Sequence, residues 1–344
     1  MRQALYAAAI SVACLTFNLY PGAGVTADLP QVWFNMTNYG WVSGPPANDK
    51  NGPWIDGAQG WNKMFGDART PLPDFMDHVQ VLAAADIAHT PDDVLANAFI
   101  KLKPKHLPFA IESLAQSWVH QGGPANCGNG VESYTDPPGN WRVAQKLKAA
   151  GGELAIVAMD EPLFYGHFYD GRNACHSSIA NVAERAVAIM AEYKKLFPQV
   201  VIGDIEPVPA IAEHPGWQNE YRQWMTAFSA AMGQPLAFLQ IDINWSKPDW
   251  PVKLQETVAF ARTVKLPFSI IYNGNVHGDP TPTNEKWLNS AVQNFLEIET
   301  GMGIVPDQVI FHSWEKFPHQ LITDTNALGE DYLLRQYVKL RLKR

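Results

Sequence analysis

The segment Ala155-Ile-Val-Ala-Met-Asp-Glu-Pro162 decides the reading of this chain: an apolar run ends abruptly in two carboxylates, Asp160 and Glu161, followed by a proline. A short run of this composition is what a fully buried parallel strand looks like. A strand that delivers an acid pair at its C-terminal tip is the arrangement found where α/β barrels build their active sites. The pattern recurs. Val200-Val-Ile-Gly-Asp-Ile-Glu-Pro207 ends with Asp204 and Glu206, and Leu236-Ala-Phe-Leu-Gln-Ile-Asp-Ile-Asn-Trp245 ends with Asp242 and Asn244.

Working outward, the same rule places strands at Gln31–Met36, Val79–Ala84, Leu107–Leu114, Leu154–Glu161, Val200–Glu206, Leu236–Asn244, Phe268–Asn273 and Gln308–Trp314. Between them, 3.6-residue apolar spacing predicts helices at Pro91–Lys103, Trp141–Ala150, Ser178–Phe197, Trp217–Met232, Pro251–Val264 and Glu285–Thr300. Ser178 before Ile179-Ala-Asn-Val182 supplies an N-cap. Strand and helix alternate, so the expected fold is a (β/α)8 TIM barrel with long loops on its C-terminal face. The start is its weakest part, because Pro71 to His78 leaves room for only a short first helix after a long loop.

Met1-Arg2-Gln3, an apolar run from Ala4 to Leu19 and the small residues Val25-Thr26-Ala27 read as a secretory signal peptide over residues 1–27. The expected product is one barrel domain over 28–344, secreted or periplasmic, with no membrane span. Cleavage removes Cys14 and leaves Cys127 and Cys175, which an oxidising compartment favours as a disulfide. Both sit in candidate rim loops, Ser117 to Asn140 and Leu163 to Ser177. A net charge of −8, with no basic run before the short tail Lys339–Arg344, argues against nucleic acid and anionic membrane as partners; the tail reads as a solvated helix end.

Side chains alternate along a strand, and the apolar face should meet the helices. Leu239, Ile241 and Ile243 then face outward, leaving Gln240, Asp242 and Asn244 inside; the same parity is expected to turn Glu112, Asp204 and Glu206 inward. With Asp160, Glu161 and Glu315 these acids gather at one end of the barrel. Like charges raise one another's pKa, which keeps one carboxyl protonated near neutral pH, and an acid paired with a base or nucleophile is the machinery of glycoside hydrolysis. Gln31–Met36 lacks the His-x-His of hydrolytic metal barrels, and the chain has neither a phosphate-binding Gly-rich loop nor Gly-x-Ser-x-Gly, so no metal and no cofactor are expected.

With Asp160-Glu161-Pro162 ending strand four and His312-Ser-Trp314 ending strand eight, the chain resembles the (β/α)8-barrel glycoside hydrolases. In the clan whose strand four ends Asn-Glu-Pro, the resemblance implies Glu161 as general acid and a second Glu ending strand seven as nucleophile. This chain departs from that pattern: Asp160 stands in place of Asn, and strand seven ends Tyr272-Asn273-Gly274-Asn275 without an acid. The partner of Glu161 is therefore Glu206, slightly favoured, or Asp242. The adjacent Asp-Glu is also similar to hexosaminidase-type barrels, in which Asp160 would orient a substrate acetamido group that itself attacks. Asp160, Asp204, Asn244, Tyr272, Asn273, His312 and Glu112 are candidates to bind sugar hydroxyls, and Trp41, Trp54, Trp61, Trp245 and Trp314 to stack on sugar faces. The expected partner is a polysaccharide or oligosaccharide; the alternative from another class is a carbohydrate-binding barrel without catalysis.

Overall fold

The computed structural model describes residues 29–37, 56–85, 87–117, 126–135, 137–323 and 328–342. The expected signal peptide and the platforms Trp41 and Trp54 lie outside the described residues.

Eight strands close into a barrel: β1 (Gln31–Met36), β2 (Val81–Ala84), β3 (Phe109–Leu114), β4 (Leu154–Asp160), β5 (Val201–Val208), β6 (Leu239–Ile243), β7 (Phe268–Tyr272) and β8 (Gln308–Phe311). Every neighbouring pair is parallel, and Trp33 of β1 closes the ring by pairing with Ile310 of β8 and Val81 of β2. Among the described residues, eight α-helices alternate with them: α1 (Gly57–Phe65), α2 (Asp92–Leu102), α3 (Pro137–Ala149), α4 (Ile179–Leu196), α5 (Trp217–Met232), α6 (Trp250–Thr263), α7 (Asn284–Leu296) and α8 (Glu330–Tyr337). The (β/α)8 expectation is met, strand for strand.

Parity sorts the apolar residues into two packed layers. Trp33, Val81, Ala83, Ala110, Ile156, Ala158, Ile205, Phe238, Ile271 and Ile310 fill the interior. The alternate positions, among them Phe34, Leu82, Val157, Ile202, Ile241 and Ile270, pack with the buried faces of the helices. Phe238 lies edge-on to Trp33, ring centroids 5.7 Å apart, and it needs Gly203 opposite: a Cβ there would stand 2.1 Å from the Phe238 ring.

Three local expectations are corrected. The stretch read as a long first loop contains α1, whose N-cap Asp56 accepts from the Gln59 N–H at 2.9 Å, while Asp74–His78 is only a 3-10 turn. Trp61 is fully buried on α1 against Phe65, so it belongs to the core and not to a sugar platform. The basic tail is not simply solvated, because Arg341 Nε reaches the buried Glu299 carboxylate at 2.7 Å in the π-helical turn Val338–Leu342 after α8.

Candidate active site

The C-terminal ends of the strands surround a cavity of about 250 Å3 lined by Thr37, Glu112, Glu132, Asp160, Asp242, His312 and Trp314 over a floor of Ile205 and Ile271. A larger cavity of about 540 Å3 lies at the opposite end of the barrel, among Phe99, Leu107, Phe109 and Phe197, away from the strand-end acid cluster.

Glu161 breaks the strand it terminates. Its backbone has φ +47°, unusual for a residue with a side chain and doubly so before proline, where extended geometry is the rule. Such a conformation persists only where the surroundings enforce it. Here the Glu161 N–H donates to the Ile205 carbonyl at 3.1 Å, and its own carbonyl accepts the Tyr165 N–H at 3.1 Å. Glu161 adjoins Asp160, which lines the cavity, but is not itself among the lining residues. Its side chain is 4% exposed, and burial first, then Asp242, Asp160, Glu132 and Glu206 in that order, push its carboxyl well above the ordinary value.

Asp242 faces the cavity from β6, as parity requires. Burial, with Glu132 and Glu315 nearby, pushes its pKa up to about 7. Asp160 and Glu112 also face the cavity. Asn35 on β1, which sequence reasoning missed, donates through Nδ2 to His312 Nδ1 at 3.2 Å and to Glu112 Oε2 at 3.4 Å. Reversing that amide would set its oxygen against the Glu112 carboxylate, so Nδ1 of His312 is the acceptor and Nε2 carries the hydrogen. Burial holds the His312 pKa down to about 3, and its Nε2 is buried without a protein partner. His312 thus offers a neutral N–H donor beside Trp314, whose ring lies edge-on to it at 5.1 Å.

Two of the expected inward acids point the other way. Asp204 turns into the helix layer, where Tyr221 Oη and Trp224 Nε1 of α5 donate to its Oδ2 at 2.9 and 2.8 Å; burial pushes its pKa up to about 7 against those two bonds. Glu206 shares that parity, and its two oxygens accept the Leu163 and Phe164 N–H groups at 2.9 and 3.0 Å. It grips the backbone immediately after Glu161-Pro162 and does not face the cavity. Apolar side chains populate both faces of this buried strand, so the β5 alternation carried no directional signal.

Tyr272, expected to meet substrate, is also turned outward: its hydroxyl donates to Glu299 Oε1 at 3.0 Å beneath α7 and α8. Asn273 is buried and occupied, accepting from Trp245 Nε1 on its side chain and from Asn294 Nδ2 on its carbonyl at 2.9 Å. Trp245 packs edge-on against Trp250 at 5.1 Å, and the exposed Asn244 caps the Ser246 N–H at 3.1 Å. Glu315 accepts from Trp287 Nε1 at 3.2 Å.

Cys127 and Cys175 form a disulfide, Cα atoms 4.9 Å apart, tying the loop after β3 to the loop after β4. The Gly128 N–H to Asn173 carbonyl bond, 2.8 Å, reinforces it. Glu132 lies at the mouth between that tie and the Ala115 and Gln116 N–H bonds to the Ser133 carbonyl, 3.0 and 2.8 Å, and the Tyr165 hydroxyl donates to its Oε2 at 2.6 Å. Tyr165 lies in the π-helical turn Phe164–Phe168. Among the described residues, no group of three or more His, Cys, Asp or Glu side chains is placed to hold a metal ion.

Fold and mouth together define a (β/α)8 barrel with an acidic C-terminal cavity. No protein-family model and no curated relative matches the sequence. Among solved structures, the GH53 catalytic domain from Ignisphaera aggregans is similar with a TM-score of 0.50 at 10% identity, covering 92% of this chain and 98% of that one. A GH10 endoxylanase retrieved from a sugarcane soil metagenome has a TM-score of 0.48 at 10% identity over 90% of this chain and 97% of its own. At that identity the first likeness establishes the barrel and nothing finer.

Proposed function

We propose that this chain is a glycoside hydrolase that cleaves a polysaccharide or oligosaccharide, exported to a secreted or periplasmic location, with Glu161 as general acid and Asp242 as the second carboxylate. The observation that carries the reading is the pairing of environments. Glu161 is buried next to the cavity-lining Asp160, and burial with neighbouring carboxyls pushes its carboxyl well above the ordinary value, which favours the protonated form; Asp242 lines the cavity with its pKa pushed up to about 7, low enough to serve as base or nucleophile once substrate arrives. Coupling makes these properties of the pair more than of either residue.

The other residues take supporting roles. Trp314 offers an apolar face for a sugar ring, and His312 Nε2 and Glu112 supply a donor and an acceptor for hydroxyls. Glu206, favoured from sequence as the partner, instead fixes the turn that carries Glu161. The cavity-lining residues among those described include no Lys or Arg, which supports a neutral or amino sugar over a polyuronate. Asp160 lines the cavity next to Glu161, and this keeps attack by a substrate acetamido group as the second reading.

The experiment is release of reducing ends from a panel of neutral and amino-sugar polysaccharides by wild type, Glu161→Gln, Asp242→Asn and Asp160→Asn. The reading requires Glu161→Gln and Asp242→Asn to lose turnover without any lowering of their unfolding midpoints. Loss in Asp160→Asn with retention in Asp242→Asn moves the mechanism to substrate assistance. Sugar binding by wild type with no cleavage of any member makes the barrel a binding protein.

A further inference from the structure

Glu132 is absent from any strand, and no periodicity points to it, yet it lies at the cavity mouth on an exposed loop. Two independent devices hold it there. The disulfide and the Gly128 to Asn173 bond pin its loop to the segment after β4. The Tyr165 hydroxyl then fixes its carboxylate at 2.6 Å, and Tyr165 is itself anchored by its N–H on the Glu161 carbonyl. Tyr165 therefore links Glu132, through its hydroxyl, to the backbone of Glu161, through its N–H.

We propose that Glu132 is a positioning residue of this site: Tyr165 and the Cys127–Cys175 bridge hold its carboxylate over the same cavity that Asp160 and Asp242 line, so that its charge acts on the Glu161–Asp242 pair. The inference rests on the glycosidase reading for its consequence in catalysis. The charged groups acting on the pair come from every side of the mouth: Asp160 on β4, Glu206 on β5, Glu315 after β8 and Glu132 from the loop after β3, all carboxyls. Asp160 and Glu206 act on Glu161, Glu315 on Asp242; Glu132 acts on both members. Among these four, Glu132 alone sits on a loop that a covalent bridge secures. The disulfide thereby has a use beyond stabilising the fold.

The sign follows from charge. A carboxylate beside two acids raises both of their pKa values, so removing it lowers both. In Glu132→Gln the whole bell of kcat/KM against pH should move to lower pH by about half a unit or more, the size of one charge acting across a partly wetted mouth. Height at the new optimum should stay within a few-fold, while turnover at pH 8 falls several-fold. Tyr165→Phe, which releases the carboxylate, should move the bell the same way. A loss of height with both limbs in place would mean that Glu132 only shapes the loop, and this overturns the inference. Titration of the Glu161 side-chain carbon by NMR in wild type and Glu132→Gln needs no turnover. If wild type cleaves no sugar, the glycosidase reading fails, and that titration still decides Glu132: a midpoint that drops in the variant supports the proposal, and one that stays overturns it.

Discussion

Asp204→Asn isolates one buried acid whose energetic effect can be worked from the structure. Asp204 is fully buried, Oδ2 receives two hydrogen bonds from α5, and Oδ1 has no partner. Burial moves its pKa from 3.8 to about 7. The folded protein then keeps a proton that the unfolded chain has already lost, so wild-type stability falls as pH rises from about 4 to about 7 and levels off above. Each tenfold gain in proton affinity on folding is worth about 1.4 kcal/mol, so a gain of roughly a thousandfold gives about 4 kcal/mol. Asparagine cannot ionise and can still accept from Trp224 and Tyr221. The difference in unfolding free energy between variant and wild type, read by urea denaturation at intervals from pH 4 to 8, should swing in favour of the variant by about 4 kcal/mol. Lowering the charge beside Glu206 adds in the same direction, because Asp204 also raises that acid. A difference that is constant across the range would refute the reasoning, since it would mean that Asp204 is ionised in the fold from low pH.

Three further outcomes are expected. Glu206→Gln should lower turnover by moving the Pro162–Phe164 turn and should also lower the unfolding midpoint, whereas a catalytic partner would lose turnover without a lowered midpoint; activity assay and calorimetry on one preparation separate the two. Removing the disulfide by Cys127→Ser with Cys175→Ser opens a loop of 48 residues and should cost about 4 kcal/mol on the chain-entropy account, measured by urea unfolding against wild type, whose denatured, unreduced mature form should show no free thiol on labelling. Trp61→Ala should destabilise by about 3 to 5 kcal/mol without altering sugar affinity, as a core truncation does, while Trp314→Ala should weaken affinity with little loss of stability.

The barrel was legible because buried parallel strands leave short apolar runs and the helices between them keep a 3.6 period; Trp217–Met232 coincides with α5 residue for residue. Direction was legible where a strand alternates polar and apolar residues, as Gln240 and Asp242 do between Leu239, Ile241 and Ile243. It failed in β5, where Val201, Gly203 and Ile205 fill the interior while Ile202 shares its outward face with Asp204 and Glu206, so hydrophobicity does not separate the sides. The positive φ of Glu161 left no sign in the sequence, since Pro162 after it signals extended geometry. Asn35 could have been found as the amide that interrupts the apolar run Val32 to Met36. Glu132 could not, because a loop position set by a disulfide and a tyrosine leaves no periodic trace. Trp61, Met64 and Phe65 did carry helical spacing, but Gly57 and Gly60 concealed α1 among loop-like residues.

The most direct test of the central claim compares two leaving groups in Glu161→Gln. A polysaccharide needs its departing oxygen protonated, whereas an aryl glycoside with an acidic phenol leaves unaided. The variant should lose about 10² to 10⁴-fold in turnover on the polysaccharide while retaining most of its bond cleavage on the aryl glycoside. Equal turnover by wild type and variant on the polysaccharide would contradict the assignment of Glu161 as the acid.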